Sequence, residues 1–373
     1  MPWQEESIMS LRMHFFNLWK SNSHNITELC KLFGISRKTG YKWIKRGLEK
    51  GENKFEDLSK YSSYSPIKTS EEVEVLIINL RKKYPDWGGR RLKRLLITQG
   101  EKDIPAVSTI TQIHKRNGLL DTGIVHSKKR IRFEHEYPNS LWQMEFKGHF
   151  AMTQGRCHPL TVLDDHSRFN LVLKACRVET RKVVKHALIE AFEHYGLPER
   201  MTMDNGSPWG NKLHGRYTKL TVWLLDLGIK VSHSRPNNPQ TQGKDERFHR
   251  TLKAEVLTRR HFINLNEYQK AFNDWRELYN YVRPHDALKL DVPASRYKIS
   301  HLDYKDCPTE YEYSEDLIKR KVNRSGAISY RSQKCFLGEA FAGSWVAIQR
   351  TIEPNKYEVF YRHQRIAKIN YGG

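Results

Sequence analysis

Apolar positions first recur every three to four residues along the chain, then fall into short runs, and finally sit in brief segments split by glycines. In the first stretch Leu11, Phe15, Phe16 and Leu18 make one helical face, which the polar residues 21–25 interrupt. Asn25 then stands as an N-cap with Glu28 three residues on, a capping-box spacing that predicts a helix start. Leu29 and Leu32 are expected to line one face of that helix, and Gly34 to make the tight turn after it. Ser36 caps a following basic helix that exposes Arg37, Lys38, Thr39, Lys42 and Lys45, with Tyr41, Trp43 and Ile44 interleaved. Helix, glycine turn and basic second helix make a helix-turn-helix pattern, whose second helix suits a major groove. A helical hairpin with a solvated basic face would read the same way.

The pattern repeats after a polar linker, residues 51–65. Ser70, Glu71 and Glu72 open a helix carrying Val73, Leu76, Ile77 and Leu80. The segment YPDWGGRRLKRLL (84–96) turns through Pro85 and Gly88-Gly89 into a helix with Arg90, Arg91 and Lys93. A third helix, expected to be capped by Ser108 and ended by Gly118, completes a second helix-turn-helix candidate. Past Pro138 the period shortens. LWQMEFKGHF, HPLTVLDDHSR and FNLVLKACRV read as three antiparallel strands, with turns at Gly155 and at His166-Ser167. A helix over 180–195, a strand RMTMDNGSPW, a helix over 216–227, a short strand IKVSHS and a long helix DERFHRTLKAEVL follow. Strands first and alternating helices afterwards predict an α/β layer on a mixed sheet. In the last sixty or so residues Val322, Ile328, Tyr330, Cys335, Phe336, Val346, Ile348, Tyr357, Val359 and Tyr361 lie between Gly326, Gly338, Gly343 and Pro354-Asn355, the pattern of a small β-barrel.

Charge adds a partner to this outline. The 373 residues carry a formal net charge of +22. Residues 1–135 hold 26 basic and 15 acidic side chains, a net of +11; residues 136–310 hold 27 and 21, a net of +6; residues 311–373 hold 11 and 6, a net of +5. Excess charge in every part, rather than in one tail, suits a long polyanion touched by several domains. No run of 18 apolar residues predicts a membrane span, and the acidic N-terminus has no signal-peptide character. The five cysteines, Cys30, Cys157, Cys176, Cys307 and Cys335, are scattered, odd in number and never paired as C-x-x-C. A disulfide scaffold and a structural zinc module are therefore not expected, and a reducing cytosol is.

Three acids are the candidate chemistry. Glu145 lies in the first strand, Asp204 ends the fourth where Asn205-Gly206 forces a turn, and Glu246 opens the long helix. Carboxylates gathered at strand ends offer hard oxygen ligands, and close carboxylates repel unless cations are present. Two such cations about 3.5–4 Å apart support phosphoryl transfer by activating one oxygen and stabilising another. Lys244 and Arg247 flank Glu246 and are candidates to hold phosphates; His249 and Arg250 continue the helix toward DNA or the core. Gln240 and Gln242 precede it as candidates to position DNA, while Arg283 and His285 are expected to brace a helix-to-turn junction.

WQMEFKG, MTMDNGSPW and PQTQGKDERFHRTLK, in this order, resemble the catalytic core of retroviral integrases and bacterial insertion-sequence transposases. YNYVRPHDAL (279–288), Pro293-Ala294 and the upstream double helix-turn-helix extend the resemblance over most of the chain. It implies a ribonuclease H-like fold and a site of the DDE type, at Glu145, Asp204 and Glu246, holding two Mg²⁺ ions with Mn²⁺ able to substitute. It also implies cleavage of double-stranded DNA at inverted terminal repeats, joining of the 3′-hydroxyls to target DNA, homo-oligomers on paired ends, and a bacterial, nucleoid-associated location. The expected domains are 1–60 and 61–130 (helix-turn-helix units), 136–300 (core) and 311–373 (barrel). Asp164 and Asp165 in TVLDDHSRF fit the family's second strand, not its metal ligands. Zinc-type Cys/His spacing is absent, so helix-turn-helix units stand where retroviral integrases carry a zinc module. One position departs: the family's first acid is aspartate, and here it is Glu145. One extra methylene displaces the carboxylate, and a shift near 1 Å costs on the order of 100-fold in rate. The alternative reading is therefore a catalytically impaired DNA-binding remnant or repressor.

Overall fold

The computed structural model describes residues 7–49, 54–57, 69–120, 134–210, 217–234, 243–306 and 310–370. The linker 51–65 is mostly outside these residues, as are Lys128-Lys129-Arg130, Gln240, Gln242 and Cys307. The chain divides into two compact units, Met1–Lys68 and Thr69–Gly373.

The first unit is three helices, α1 (Ile8–Lys20), α2 (Ile26–Leu32) and α3 (Arg37–Leu48). Asn25 and Glu28 form the expected reciprocal capping box on α2, and Ser36 caps α3. Phe15, Phe16, Leu29, Cys30, Trp43, Ile44 and Phe55 make a shared core. Each such side chain, once buried, contributes about 1.5–3 kcal/mol. Two glycines inside α3 have a steric reason. A Cβ on Gly40 would lie 2.6 Å from the Cys30 sulfur, and one on Gly47 would lie 2.2 Å from the Phe16 ring. The glycines therefore let α3 approach its neighbours closely, despite costing about 1 kcal/mol each in helix propensity. Gly34 turns the chain between α2 and α3 with φ +62°. One expectation fails: Leu32 is 67% exposed and lines no core. It is the last residue of a short helix, past the turn that carries Leu29 and Cys30 into the interior.

The second unit begins with α4 (Glu71–Lys83), α5 (Gly89–Thr98) and α6 (Val107–Arg116), packed through Ile77, Trp87, Leu92, Leu96, Ile110 and Ile113. Ser108 is not the cap of α6; Ala106 occupies the cap position without a side-chain hydrogen bond, and Ser108 lies in the first turn.

A mixed sheet follows, built from β1 (Trp142–Phe146), β2 (Phe150–Met152), β3 (Gly155–Asp164), β4 (Asn170–Cys176), β5 (Arg200–Met203) and β6 (Lys230–His233). Its order is β2-β3-β1-β5-β6, with β4 also paired to β3. The run LWQMEFKGHF, expected as one strand, divides at Lys147–His149 into β1 and the start of β2, with φ +84° at Gly148. β1 runs antiparallel to β3 and parallel to β5. The helices are α7 (Arg181–Tyr195), α8 (Lys219–Asp226), α9 (Gly243–Leu252, continued by a wider turn through Leu257) and α10 (Leu265–Glu277). Side-chain alternation sorts them into layers. Trp142, Met144, Leu160, Val162, Met201 and Met203 pack with α7 and α8. Cys157, Leu163 and Leu173 pack with Phe248 and Leu252 of α9 and Phe272 and Trp275 of α10. The sheet is mixed, as the sequence pattern predicts, and it lies between two helical layers. Among the described residues, no helix is long and apolar enough to cross a membrane.

The expected C-terminal barrel is corrected. β7 (Ile318–Lys321), β10 (Trp345–Arg350), β11 (Lys356–Tyr361) and β12 (Gln364–Asn370) form an open sheet of order β12-β11-β10-β7. β8 (Ala327–Tyr330) and β9 (Gln333–Phe336) pair separately. Apolar residues of both pieces instead join the main core: Phe341 meets Tyr217 at 5.2 Å, and the Tyr361 hydroxyl donates to Asp226 on α8 at 2.5 Å. A face covered by the core needs no barrel to bury it, and Phe336 is left 53% exposed.

Candidate active site

The sheet's parity decides where the acids point. Trp142, Met144 and Phe146 face the α7–α8 layer, so Gln143 and Glu145 face α9. On β5, Met201 and Met203 face α7–α8, which turns Thr202 toward the α9 side, and Asp204 follows just past the end of the strand. The parallel register pairs Trp142 with Met201 and Gln143 with Thr202, and past its end the charge of Asp204 acts on Glu145. Glu246 lies in the first turn of α9 and is exposed.

Burial, then the charge of Asp204, then that of Glu246 push the Glu145 carboxyl up to about 7, against the pull of Lys147. Burial and like charge nearby both favour the protonated form of a carboxyl in this way. Asp204 is oriented by two donors: the Gly206 amide at 3.0 Å and the indole of Trp209. Trp209 is buried and stacks on Phe146 at 5.3 Å, so the strand that carries Glu145 also seats the donor to Asp204. The sequence shows that tryptophan five residues after Asp204, in DNGSPW, but only the fold shows its hydrogen bond. Among the described residues, no three His, Cys, Asp or Glu side chains are gathered closely enough to hold a metal ion. The donor set is all carboxylate oxygen, which fits a hard divalent cation in chemistry and charge.

Other residues on this side take structural duties. Asp164 accepts from the Asn139 amide at 2.7 Å and from the amide and hydroxyl of Ser167 at 2.7 and 2.6 Å. Asp165 accepts from Gln143 Nε2 at 2.7 Å and the His135 amide at 2.9 Å, and pairs with Lys244. Both aspartates therefore fasten the β3–β4 turn. Lys244 is only 17% exposed and ties the start of α9 to Asp165, so it does not present a free charge to phosphate as the sequence suggested. Burial and the nearby Arg168 lower its pKa. Arg247, one residue past Glu246, is exposed.

Two residues of α9 are buried: Asp245, which the sequence did not single out, and His249, which it left open between DNA and the core. Asp245 is fully buried, neither carboxylate oxygen has a hydrogen-bond partner among the described residues, and burial, Glu145 and Asp165 together raise its pKa far above the usual range. His249 faces the core: Nε2 lies 2.8 Å from the Thr161 hydroxyl and Nδ1 lies 3.5 Å from a Glu145 carboxylate oxygen. Burial, aided by Lys147, holds its pKa down to about 3, so the ring is neutral at pH 7 and the contact with Glu145 is not an ion pair.

The basic residues expected at DNA divide sharply. Arg37, Lys38, Lys42 and Lys45 are exposed on α3; Thr39 is half-buried, its hydroxyl 2.9 Å from that of Ser36. On α5, Arg91 is a correction. It is 15% exposed, bonds Asp286 at 2.6 Å, and has its pKa lowered by burial and by Arg283. Arg90 reaches the same Asp286 at 3.1 Å, and Arg94 bonds Asp291 at 2.6 Å. Lys93 is half-buried. The segment carrying Asp286 is braced as expected: Arg283 bonds Glu255 at 3.0 Å, and the ring of His285 meets the Tyr279 carbonyl at 3.3 Å.

Several parts of the chain match known families. Residues 135–239 and 227–293 match integrase core domains, and residues 318–371 match the C-terminal domain of IS481 family transposases. Residues 12–60 match a helix-turn-helix domain and residues 39–114 a homeodomain-like domain. The chain is 23% identical over 241 residues to an insertion element IS476 protein of Xanthomonas euvesicatoria, a match covering 61% of this chain and 65% of that protein. It is 24% identical over 266 residues to an insertion element IS407 protein of Burkholderia multivorans, covering 68% of this chain and 92% of the other. Among solved structures, the HTLV-2 integrase catalytic core in complex with magnesium aligns with TM-score 0.33 and 15% identity, over 44% of this chain and 99% of that one.

Proposed function

We propose, from the premise that the chain belongs with the bacterial insertion-sequence transposases that carry an integrase core, that it cuts element-end DNA and joins the resulting 3′-hydroxyls to target DNA. Glu145, Asp204 and Glu246 are its catalytic acids and the groups that would hold Mg²⁺ or Mn²⁺. The observation that supports the reading is the like charge that Asp204 and Glu246 exert on the partly buried Glu145, at the end of the parallel β1–β5 pairing. Burial raises Glu145 most, and the added negative charge of Asp204 and Glu246 supports a cation as its neutraliser. A bound divalent ion would supply Lewis-acid polarisation of phosphoryl oxygens.

The chain's own residues do the rest. Trp209 and the Gly206 amide fix the direction of Asp204, and the Lys244–Asp165 pair fixes the start of α9 and with it Glu246. Arg247 lies beside Glu246 for a backbone phosphate. Arg37, Lys38, Lys42 and Lys45 on α3 are the residues to read terminal-repeat DNA, with phosphate contacts giving affinity and base contacts giving sequence. Homo-oligomers on paired DNA ends complete the proposal. The domain limits proposed for these roles remain 1–60, 61–130, 136–300 and 311–373.

The impaired-core reading is favoured by one observation: a glutamate stands at the first position, and its carboxyl keeps its proton up to about pH 7. Strand-transfer assays on the intact chain with Mg²⁺ or Mn²⁺ separate the two. Joining that is lost in Glu145→Ala, Asp204→Asn and Glu246→Gln supports the enzyme. No joining by the unchanged chain, with joining restored in Glu145→Asp, supports the impaired core.

A further inference from the structure

Helices α3 and α6 each close a group of three helices, and they carry the same order of buried and exposed positions. On α3 the second, fifth, sixth and ninth residues, Lys38, Tyr41, Lys42 and Lys45, are exposed. On α6 the same four places hold Ser108, Thr111, Gln112 and Lys115, exposed likewise. The fourth, seventh and eighth places are buried in both, by Gly40, Trp43 and Ile44 on α3 and by Ile110, Ile113 and His114 on α6. Position by position, α6 is to its group what α3 is to the first. The four exposed places fall on one stripe of the helix.

The chemistry of the two stripes differs. That of α3 offers three lysines and a tyrosine; that of α6 offers two hydroxyls, an amide and one lysine. The other cation at the end of α6, Arg116, donates from Nε to Glu74 on α4 at 2.9 Å. The Thr111 hydroxyl donates to the Val107 carbonyl at 2.9 Å, which leaves its oxygen as an acceptor and its methyl group for apolar contact. Gln112 presents a donor beside an acceptor, the match to the major-groove edge of adenine, and a threonine methyl suits the methyl of thymine. The basic helix of the same group, α5, has Arg90, Arg91 and Arg94 on Asp286 and Asp291, so its charge is turned to the core. A polyanion is still drawn to this part of the chain by the net +11 of residues 1–135, and Lys102 before α6 is exposed like Lys115.

We propose that α6 enters the major groove of duplex DNA and that Ser108, Thr111 and Gln112 read base edges there, adding sequence preference with little phosphate affinity. The inference rests on the reading of the chain as a binder of DNA ends, and it names the residues by which the second helical group chooses sequence. Phosphate contacts position a protein and base contacts specify, so an uncharged stripe alters preference without altering salt dependence.

The test selects duplexes from a library with a randomised central stretch, using the full chain. Fluorescence anisotropy across a salt series then compares the selected duplex with a scrambled duplex of the same composition. The triple variant Ser108→Ala, Thr111→Ala, Gln112→Ala should bind the selected duplex at least about ten-fold more weakly and the scrambled one within about two-fold of the unchanged chain. The slope of log K against log salt should stay the same. Selection repeated with Gln112→Ala should lose a preference for adenine at one position and keep the others, and this single exposed change serves if the triple variant does not fold. Equal losses on both duplexes, or undiminished binding to the selected one, would overturn the proposal. An unchanged chain that selects no sequence would overturn it together with the reading as a binder of DNA ends, whereas a selected sequence bound equally well by the variants would overturn the role of α6 alone.

Discussion

Helices α3 and α5 look alike on paper and differ in what their charges meet. Each follows a glycine-containing turn, and each presents a dense basic face in a helix-turn-helix pattern. On α3 Arg37, Lys38, Lys42 and Lys45 are exposed, while Arg46 is buried. On α5, Arg90, Arg91 and Arg94 all reach acids of the segment near residues 286–291. The lesson is that basic composition marks a helix as an anion binder without saying whether the anion is DNA or another part of the same fold. The same division recurs within one turn of α9, where Lys244 is tied to Asp165 and Arg247 is exposed.

The largest effect that could break this contrast is on DNA binding by α3. Replacing Arg37, Lys38, Lys42 and Lys45 together by alanine should lower duplex affinity by at least about 100-fold at physiological salt. It should also flatten the slope of log K against log salt by roughly 0.9 for each phosphate no longer neutralised. Fluorescence anisotropy across a salt series measures both, and an unchanged slope would show that α3 does not meet phosphate.

Next comes Arg91→Ala. It leaves Asp286 without its shorter partner and should destabilise the second unit by about 1.5–3 kcal/mol, the usual worth of a hydrogen bond to a charged group. Denaturant unfolding reads this, and the DNA salt slope should not move. A changed slope with unchanged stability would reassign Arg91 to DNA.

Asp245 sharpens the contrast from the acidic side, as a buried acid whose oxygens meet no donor among the described residues. Its folded pKa, like that of Glu145, is raised, so the folded metal-free protein binds more protons than the unfolded chain. Stability from these groups is full below about pH 4, where both states are protonated, and is lost as pH rises, through about 7 for Glu145. Asp245→Asn should flatten this decline in thermal melts. A wild-type melting curve that rises over pH 5–7, with the variant falling, would contradict it. Adding Mn²⁺ should raise the melting temperature more at pH 8 than at pH 5, because its carboxylate ligands must be ionised. The smallest effect belongs to Arg90→Ala: with its side chain 69% exposed, it should change stability by less than about 0.5 kcal/mol.

Much of this was legible because it is local. The capping box at Asn25 and Glu28, the turn at Gly34 and the strand runs around Glu145 are set by residues a few positions apart. The parallel pairing of β1 with β5 is different, since strand runs alone do not report which strands pair. What was not legible depends on partners far along the chain. Arg91 meets Asp286 across 195 positions, and no composition or spacing reports it. The barrel expectation failed for the same reason. Short apolar segments signal that a face must be buried, and here the main core, through Tyr217 and Asp226, does the burying. His249 was open between DNA and core, since a lone histidine on an amphipathic helix fits either side.

The central claim is that Glu145, Asp204 and Glu246 act together on DNA ends. Single-turnover joining of a labelled terminal-repeat duplex to target DNA by the intact chain in Mn²⁺ tests it most directly. The account predicts metal-dependent joined product that falls by at least about 100-fold in Asp204→Asn and again in Glu246→Gln, the scale expected when a group that stabilises transition-state charge is removed. Joining at undiminished rate in either variant would contradict it.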